Sequence, residues 1–152
     1  METQKTYRTS SGGAIILLLI AALILVSYLL AGNYAANWIF WVYILILVVA
    51  AVDTKVGIYA VMRGDDFYEV RHFIFRHDIK IANIDKILYK PTWAFGENMR
   101  SVYLLDRSTR EIKVRMSNGA YPFKTLKQIV SDLKNKNQTI EIDESVKVLM
   151  GR

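Results

Sequence analysis

The residues best equipped for chemistry are few and scattered along the chain. Two histidines, His72 and His77, stand five positions apart, and Asp65 and Asp66 form an acidic pair directly after Gly64. A zinc site needs three or four converging ligands. With no cysteine in 152 residues and no His-x-x-x-His spacing, no metal site is expected. Absence of cysteine also excludes disulfides and thiolate catalysis. Paired acids in a glycine turn are ordinary solvated turn residues. No Gly-rich phosphate loop, G-x-S-x-G elbow or kinase-like set is present. The expectation is a protein that is not an enzyme, with no catalytic residue and no cofactor.

What the chain does offer is positive charge, with 20 Lys and Arg against 14 Asp and Glu. Arg71, Arg76, Lys80, Lys86 and Lys90 recur through one stretch, and Lys113 and Arg115 share one face of a later strand. A cation near an anionic leaflet contributes about 1 kcal/mol, which makes these seven the candidates for lipid-headgroup contact. Glu69, Asp78 and Asp85 interleave with them, so a plain solvated face is the competing reading. The excess is too mild and too dispersed for a nucleic-acid surface. Trp38, Trp41, Trp93 and Phe95 are the membrane-interface candidates, because aromatic rings gather at the lipid–water boundary. Trp93 and Phe95, in a loop with Pro91 and Gly96, fit equally well as a cover over one end of a core.

The elements that must position these residues begin with an uncharged run. From Thr9 to Val52, 44 residues contain no Asp, Glu, Lys, Arg or His. As one helix the run would be about 66 Å long, twice the hydrocarbon thickness of a bilayer. Gly32 and Asn33 supply helix-stopping chemistry, and Asn37 can cap a second start. The spacing therefore predicts two spanning helices, about 13–31 and 36–52, within a hairpin segment 12–52. A cleaved signal peptide fits poorly, since its apolar region would be 18 residues and a second run follows at once. Lys5 and Arg8 precede the first helix and Lys55 and Arg63 follow the second, while the connecting turn is uncharged. The positive-inside rule then places both termini on the cytoplasmic side, with residues 1–11 as an N-terminal tail.

Beyond Asp53 the pattern changes to short strands bounded by turns. Strands are expected at 56–63, 67–75, 79–90 (bending near Asn83), 100–106 and 110–116, with Arg76-His77-Asp78 as a turn. Pro122 then opens an amphipathic helix whose apolar face is Phe123, Leu126, Ile129, Val130 and Leu133. A last short strand is expected at 139–143, followed by a tail, 144–152. The fold class is α+β: a transmembrane helical hairpin, then a small antiparallel bent sheet or barrel over 53–143, capped by a C-terminal helix.

This layout, with "DDFYEVRHFIFRHDIKIANIDKI", "VYLLDRSTREIKV" and "FKTLKQIVSDLKNKNQTIEID" as its carriers, resembles the bacterial pleckstrin-homology-like family of small membrane proteins. The resemblance covers roughly residues 56–143 together with the anchor arrangement. It implies a PH-like module at the cytoplasmic face of the bacterial inner membrane, meeting membrane lipids, a protein partner or further copies of itself. The acidic turn Gly64-Asp65-Asp66 departs from the basic signature with which eukaryotic relatives of the fold hold phosphoinositides. The alternative is a structural or assembly subunit of a membrane complex that works through protein contacts alone.

Overall fold

The structure, a computed structural model, describes residues 4–30, 38–92 and 99–151. Gly32, Asn33 and Asn37 of the expected turn and Trp93 and Phe95 of the expected loop lie outside the described residues.

The chain enters as a strand, β1 (Gln4–Arg8), and not as the expected tail. Its alternation places Tyr7 inward, 3 % exposed, with its hydroxyl donating to Asp132 Oδ2 at 2.6 Å. Two apolar helices follow, α1 (Gly12–Leu30) and α2 (Trp38–Val52). At one end of the pair the rings of Tyr28 and Phe40 stack with centroids 3.8 Å apart. At the other, Thr9 Oγ1 donates to the Thr54 carbonyl at 3.3 Å, so the helices run antiparallel. Ala14, Ala21 and Ala51 are buried, whereas Ile15, Leu19, Leu23, Leu45 and Ile46 are exposed. A core helix of a folded domain hides its large apolar side chains; these two leave them bare on most sides. Both spans, Gly12–Leu30 and Phe40–Gly57, are long and apolar enough to cross a membrane.

After α2 the chain continues through a π-helical turn, Asp53–Gly57, which delays the strand expected from residue 56. The strand β2 (Tyr59–Arg63) pairs antiparallel with both β1 and β3 (Asp66–Arg71), and β3 pairs with β4 (Phe75–Lys80). This corrects the expected hairpin. The polar residues Arg76, His77 and Asp78 lie within β4, while the turn is made by His72, Phe73 and Ile74. Exposure explains it: Arg76, His77 and Asp78 all keep their side chains in water along β4, so a strand there buries no polar group, and Arg76 stacks over the Tyr68 ring at 4.1 Å.

A 3₁₀ turn at Ile81–Asn83 makes the bend foreseen near Asn83 and leads to the second sheet. There β5 (Ile84–Pro91), β6 (Arg100–Asp106) and β7 (Ile112–Ser117) form an antiparallel meander. Next comes α3 (Phe123–Lys136), with Leu126, Ile129, Val130 and Leu133 fully buried as the apolar spacing predicts. Each such side chain contributes about 1.5–3 kcal/mol of transfer free energy. A short strand, β8 (Glu141–Ile142), pairs parallel to β5. The residues expected as a tail form α4 (Glu144–Met150), which buries Val146 and Leu149.

The architecture is α+β, with two four-stranded sheets ordered β1-β2-β3-β4 and β7-β6-β5-β8. Among the described residues the sheets do not close into a barrel, so the single bent sheet of the sequence reading is two sheets around one core. That core runs from Tyr7, Ala60 and Phe67 through Ile87, Leu104 and Met116 to α3 and α4.

Candidate functional site

The seven cations singled out from the sequence do not form one basic face. Arg71 points inward to Glu69, with Nη2 3.0 Å and Nε 3.1 Å from Oε2, and its other hydrogen bond runs to the Arg115 carbonyl. Glu69 is 1 % exposed; burial pushes its carboxyl up, and the Arg71 cation pulls back against that. The hydroxyl of Tyr121 and Oε1 of Glu69 are buried close enough to act on one another, yet without hydrogen-bond geometry. Arg71 is thus committed to the core. Arg76 and Lys80 lie on the outer face of the first sheet. Lys86 and Lys90 lie on β5 and Lys113 and Arg115 on β7, in the second sheet.

Lys86 is held by Glu141 and by Asp143 at 3.3 Å, and Lys113 stands 3.6 Å from Glu111 at a register shift in β7. Trp38 and Trp41 are exposed at the start of α2, the end of the helix pair far from the sheets.

A different set converges where the helix pair meets the first sheet. Thr6, Arg8, Thr9, Ser11, Lys55, Val56, Ile58 and Tyr59 line a cavity of about 430 Å³. Topology builds it. An antiparallel helix pair must return residue 53 to the neighbourhood of residue 12, and β1 and β2 carry that adjacency into a sheet, with Arg8 opposite Tyr59. Thr6 and Arg8 project from the same face of β1, as alternation requires. The corner is fixed by backbone bonds: Ser10 N–H donates to the Ala120 carbonyl at 2.8 Å, and Ile15 N–H to the Ser11 carbonyl at 3.0 Å. Thr54 Oγ1 returns to the Ala50 carbonyl at 2.7 Å.

Among the described residues the lining holds two cations, four hydroxyls and no carboxylate. The nearest acid in sequence, Asp53, is turned to His72. Arg8 and Lys55 are both exposed. Such a set can accept an anion: a guanidinium and an ammonium supply charge-assisted bonds, and the hydroxyls of Thr6, Ser11 and Tyr59 supply further donors.

A second cavity, about 590 Å³, lies on the outer face of the first sheet among Arg63, Asp65, Asp66, Tyr68, Arg76, Lys80 and Ala82. Its three cations face two carboxylates, so its field largely cancels. Lys80 lies five residues along β4 from Phe75, about 17 Å from the helix end of the strand. Among the described residues no group of three or more His, Asp and Glu is placed to hold a metal ion.

Arg8 and Lys55 figured in the sequence only as flanking charges that set orientation. The signal that could have joined them was the hairpin itself, which brings both flanks to one place. No family model, no curated protein and no solved structure matches this chain.

Proposed function

We propose that this is a non-enzymatic integral membrane protein that holds an anionic lipid headgroup in the cavity between Arg8 and Lys55. The observation that carries the reading is a pair of cations with four hydroxyls, and among the described residues no carboxylate in the lining, at the foot of two bare apolar helices. If the helices span a bilayer, that foot is the depth at which headgroup phosphates lie. Pairing of β1 with β2 in one sheet supports a hairpin whose two flanks share one side of the membrane. Lys5, Arg8, Lys55 and Arg63 favour the cytoplasmic side of a bacterial inner membrane for that sheet. Two successive antiparallel meanders followed by an amphipathic helix support the PH-like reading of the domain, with the helix pair inserted after its first strand.

The test is titration of the detergent-solubilised full chain with short-chain phosphatidylglycerol and phosphatidylcholine. Phosphatidylglycerol is expected to bind saturably and to weaken with added salt, and the Arg8→Gln/Lys55→Gln double variant is expected to lose the preference. Equal binding of both lipids, or a double variant indistinguishable from the parent, would overturn the assignment.

A further inference from the structure

We infer that the tip of the β3–β4 hairpin, Phe73-Ile74-Phe75, is a second membrane contact, an apolar wedge that dips into the lipid interface beside the end of α2. The inference rests on the membrane reading above and adds a site to it. Three consecutive large apolar residues sit at a turn where polar ones are usual, with Phe73 59 %, Ile74 81 % and Phe75 60 % exposed. The turn is held in an unfavourable shape: His72 and Phe73 have φ of 54° and 56°, a region that bulky side chains rarely adopt. The Ile74 N–H closes the turn on the Arg71 carbonyl at 3.3 Å, a tight hairpin geometry in which Asn and Gly are usual and large apolar residues are not.

The turn is also tied to the end of the second span. The Phe73 N–H donates to the Gly57 carbonyl at 3.4 Å, and His72 Nδ1 pairs with Asp53 Oδ2. The Phe73 ring lies so close over Gly57 that a Cβ there would be 2.9 Å from Phe73 Cε2. The tip is thereby tied to the level at which the helix leaves the apolar layer. Val52 and Val56, exposed on the same segment, carry the apolar surface up to it. An apolar surface continuous with a spanning helix and fixed at its end meets lipid before it meets another protein, and the occupant we assign is the headgroup–acyl boundary of the same bilayer.

The absence of cysteine makes the test clean. Single nitroxide labels are placed at Ile74→Cys on the tip, Leu19→Cys on α1, and Glu111→Cys in the β6–β7 turn. That turn includes Arg107, which shares a cavity with Asp65 at the end of the sheets far from the helices. The full chain is reconstituted in phosphatidylglycerol–phosphatidylcholine vesicles, and collisions with oxygen and with a water-soluble nickel chelate are compared. Ile74→Cys is expected to be oxygen-dominated like Leu19→Cys, and Glu111→Cys nickel-dominated. A nickel-dominated Ile74→Cys beside an oxygen-dominated Leu19→Cys would sink the wedge and leave the membrane reading standing. Low collision with both probes at Ile74→Cys would place the tip in a protein contact, and also overturns the proposal. A nickel-dominated Leu19→Cys would remove the membrane reading, and the wedge with it.

Discussion

The carboxylate of Asp53 and the imidazole of His72 are in direct contact, Oδ2 against Nδ1, and join the turn that ends the second apolar helix to the tip of the β3–β4 hairpin. Nineteen positions separate the two residues in the chain. The bond makes the hairpin an extension of the helix pair and not an independent finger of the sheet.

His72→Ala removes that tie. Its imidazole is more than half exposed, so the loss in global stability should stay below about 1 kcal/mol. Locally the effect should be large: amide exchange at Phe73 and Ile74 accelerates while exchange in α3 is unchanged. Identical exchange at the tip in parent and variant would show that the pair does not hold it.

Gly57→Ala should act on the same junction from the other side. An alanine Cβ would fall 2.1 Å from Asp53 Oδ1 and 2.9 Å from the Phe73 ring, so both side chains must move. The expected outcome is loss of the Asp53–His72 contact, read as a shift of the His72 imidazole resonances toward those of an Asp53→Ala variant. Unshifted resonances would mean that the turn absorbs a methyl group at no cost.

Tyr7 makes the N-terminal segment part of the fold. It is buried, and it reaches Asp132 on α3; burial and the Asp132 carboxylate push its hydroxyl pKa well up. Tyr7→Ala is expected to cost about 3 kcal/mol, in the range for truncating a core aromatic. A fragment starting at residue 56 lacks β1 altogether and should unfold at a lower denaturant concentration than the full chain. Equal midpoints would show that β1 is dispensable.

Glu69 sets a pH dependence whose sign follows from its burial. Its folded pKa is raised, first by burial, above the ordinary Glu value of about 4.3, so the folded state binds more protons than the unfolded one. Its contribution is therefore full at low pH and is lost as pH rises from about 4.3 through the raised folded value. Glu69→Gln should flatten that decline in a series of thermal melts. A variant curve parallel to the parent's over this interval would assign the decline to another group.

Asp143 acts in the opposite direction. Its carboxylate caps α4, accepting from Ser145 N–H at 3.0 Å and Ser145 Oγ at 2.6 Å, and these bonds hold its pKa down at about 2. The cap is present above the unfolded Asp value of about 3.9 and is lost as pH falls toward 2. Asp143→Ala should fray α4 at neutral pH, seen as faster exchange at Val146 and Leu149. A variant with parental exchange there would show that Val146 and Leu149 dock the helix without the cap.

The legible part of this fold was the part written in periodicity. Leu126, Ile129, Val130 and Leu133 announce α3 because a 3.6-residue repeat admits one buried face. Arg100–Asp106 announces β6 equally well, since both ends are marked by polar breaks. The hairpin tip misled for a definite reason. Phe73 and Ile74 have the composition of a strand and Arg76-His77-Asp78 that of a turn, but the exposure of the β4 side chains and ties to Gly57 and Asp53 reverse the assignment. Such ties join residues far apart in sequence, and no local pattern carries them.

By itself, then, the sequence determined two apolar helices, a following set of short strands and one amphipathic helix, because each of these is a matter of local spacing and burial. Tertiary structure alone decided that Gln4–Arg8 is a strand, that Arg8 and Lys55 share a cavity, and that an apolar turn is pinned to the end of a helix. Each of these is a pairing across the helix hairpin or between sheet and helix. What fixes it is which surfaces the closed chain brings within bonding distance, a quantity that belongs to the folded backbone and to no window of residues.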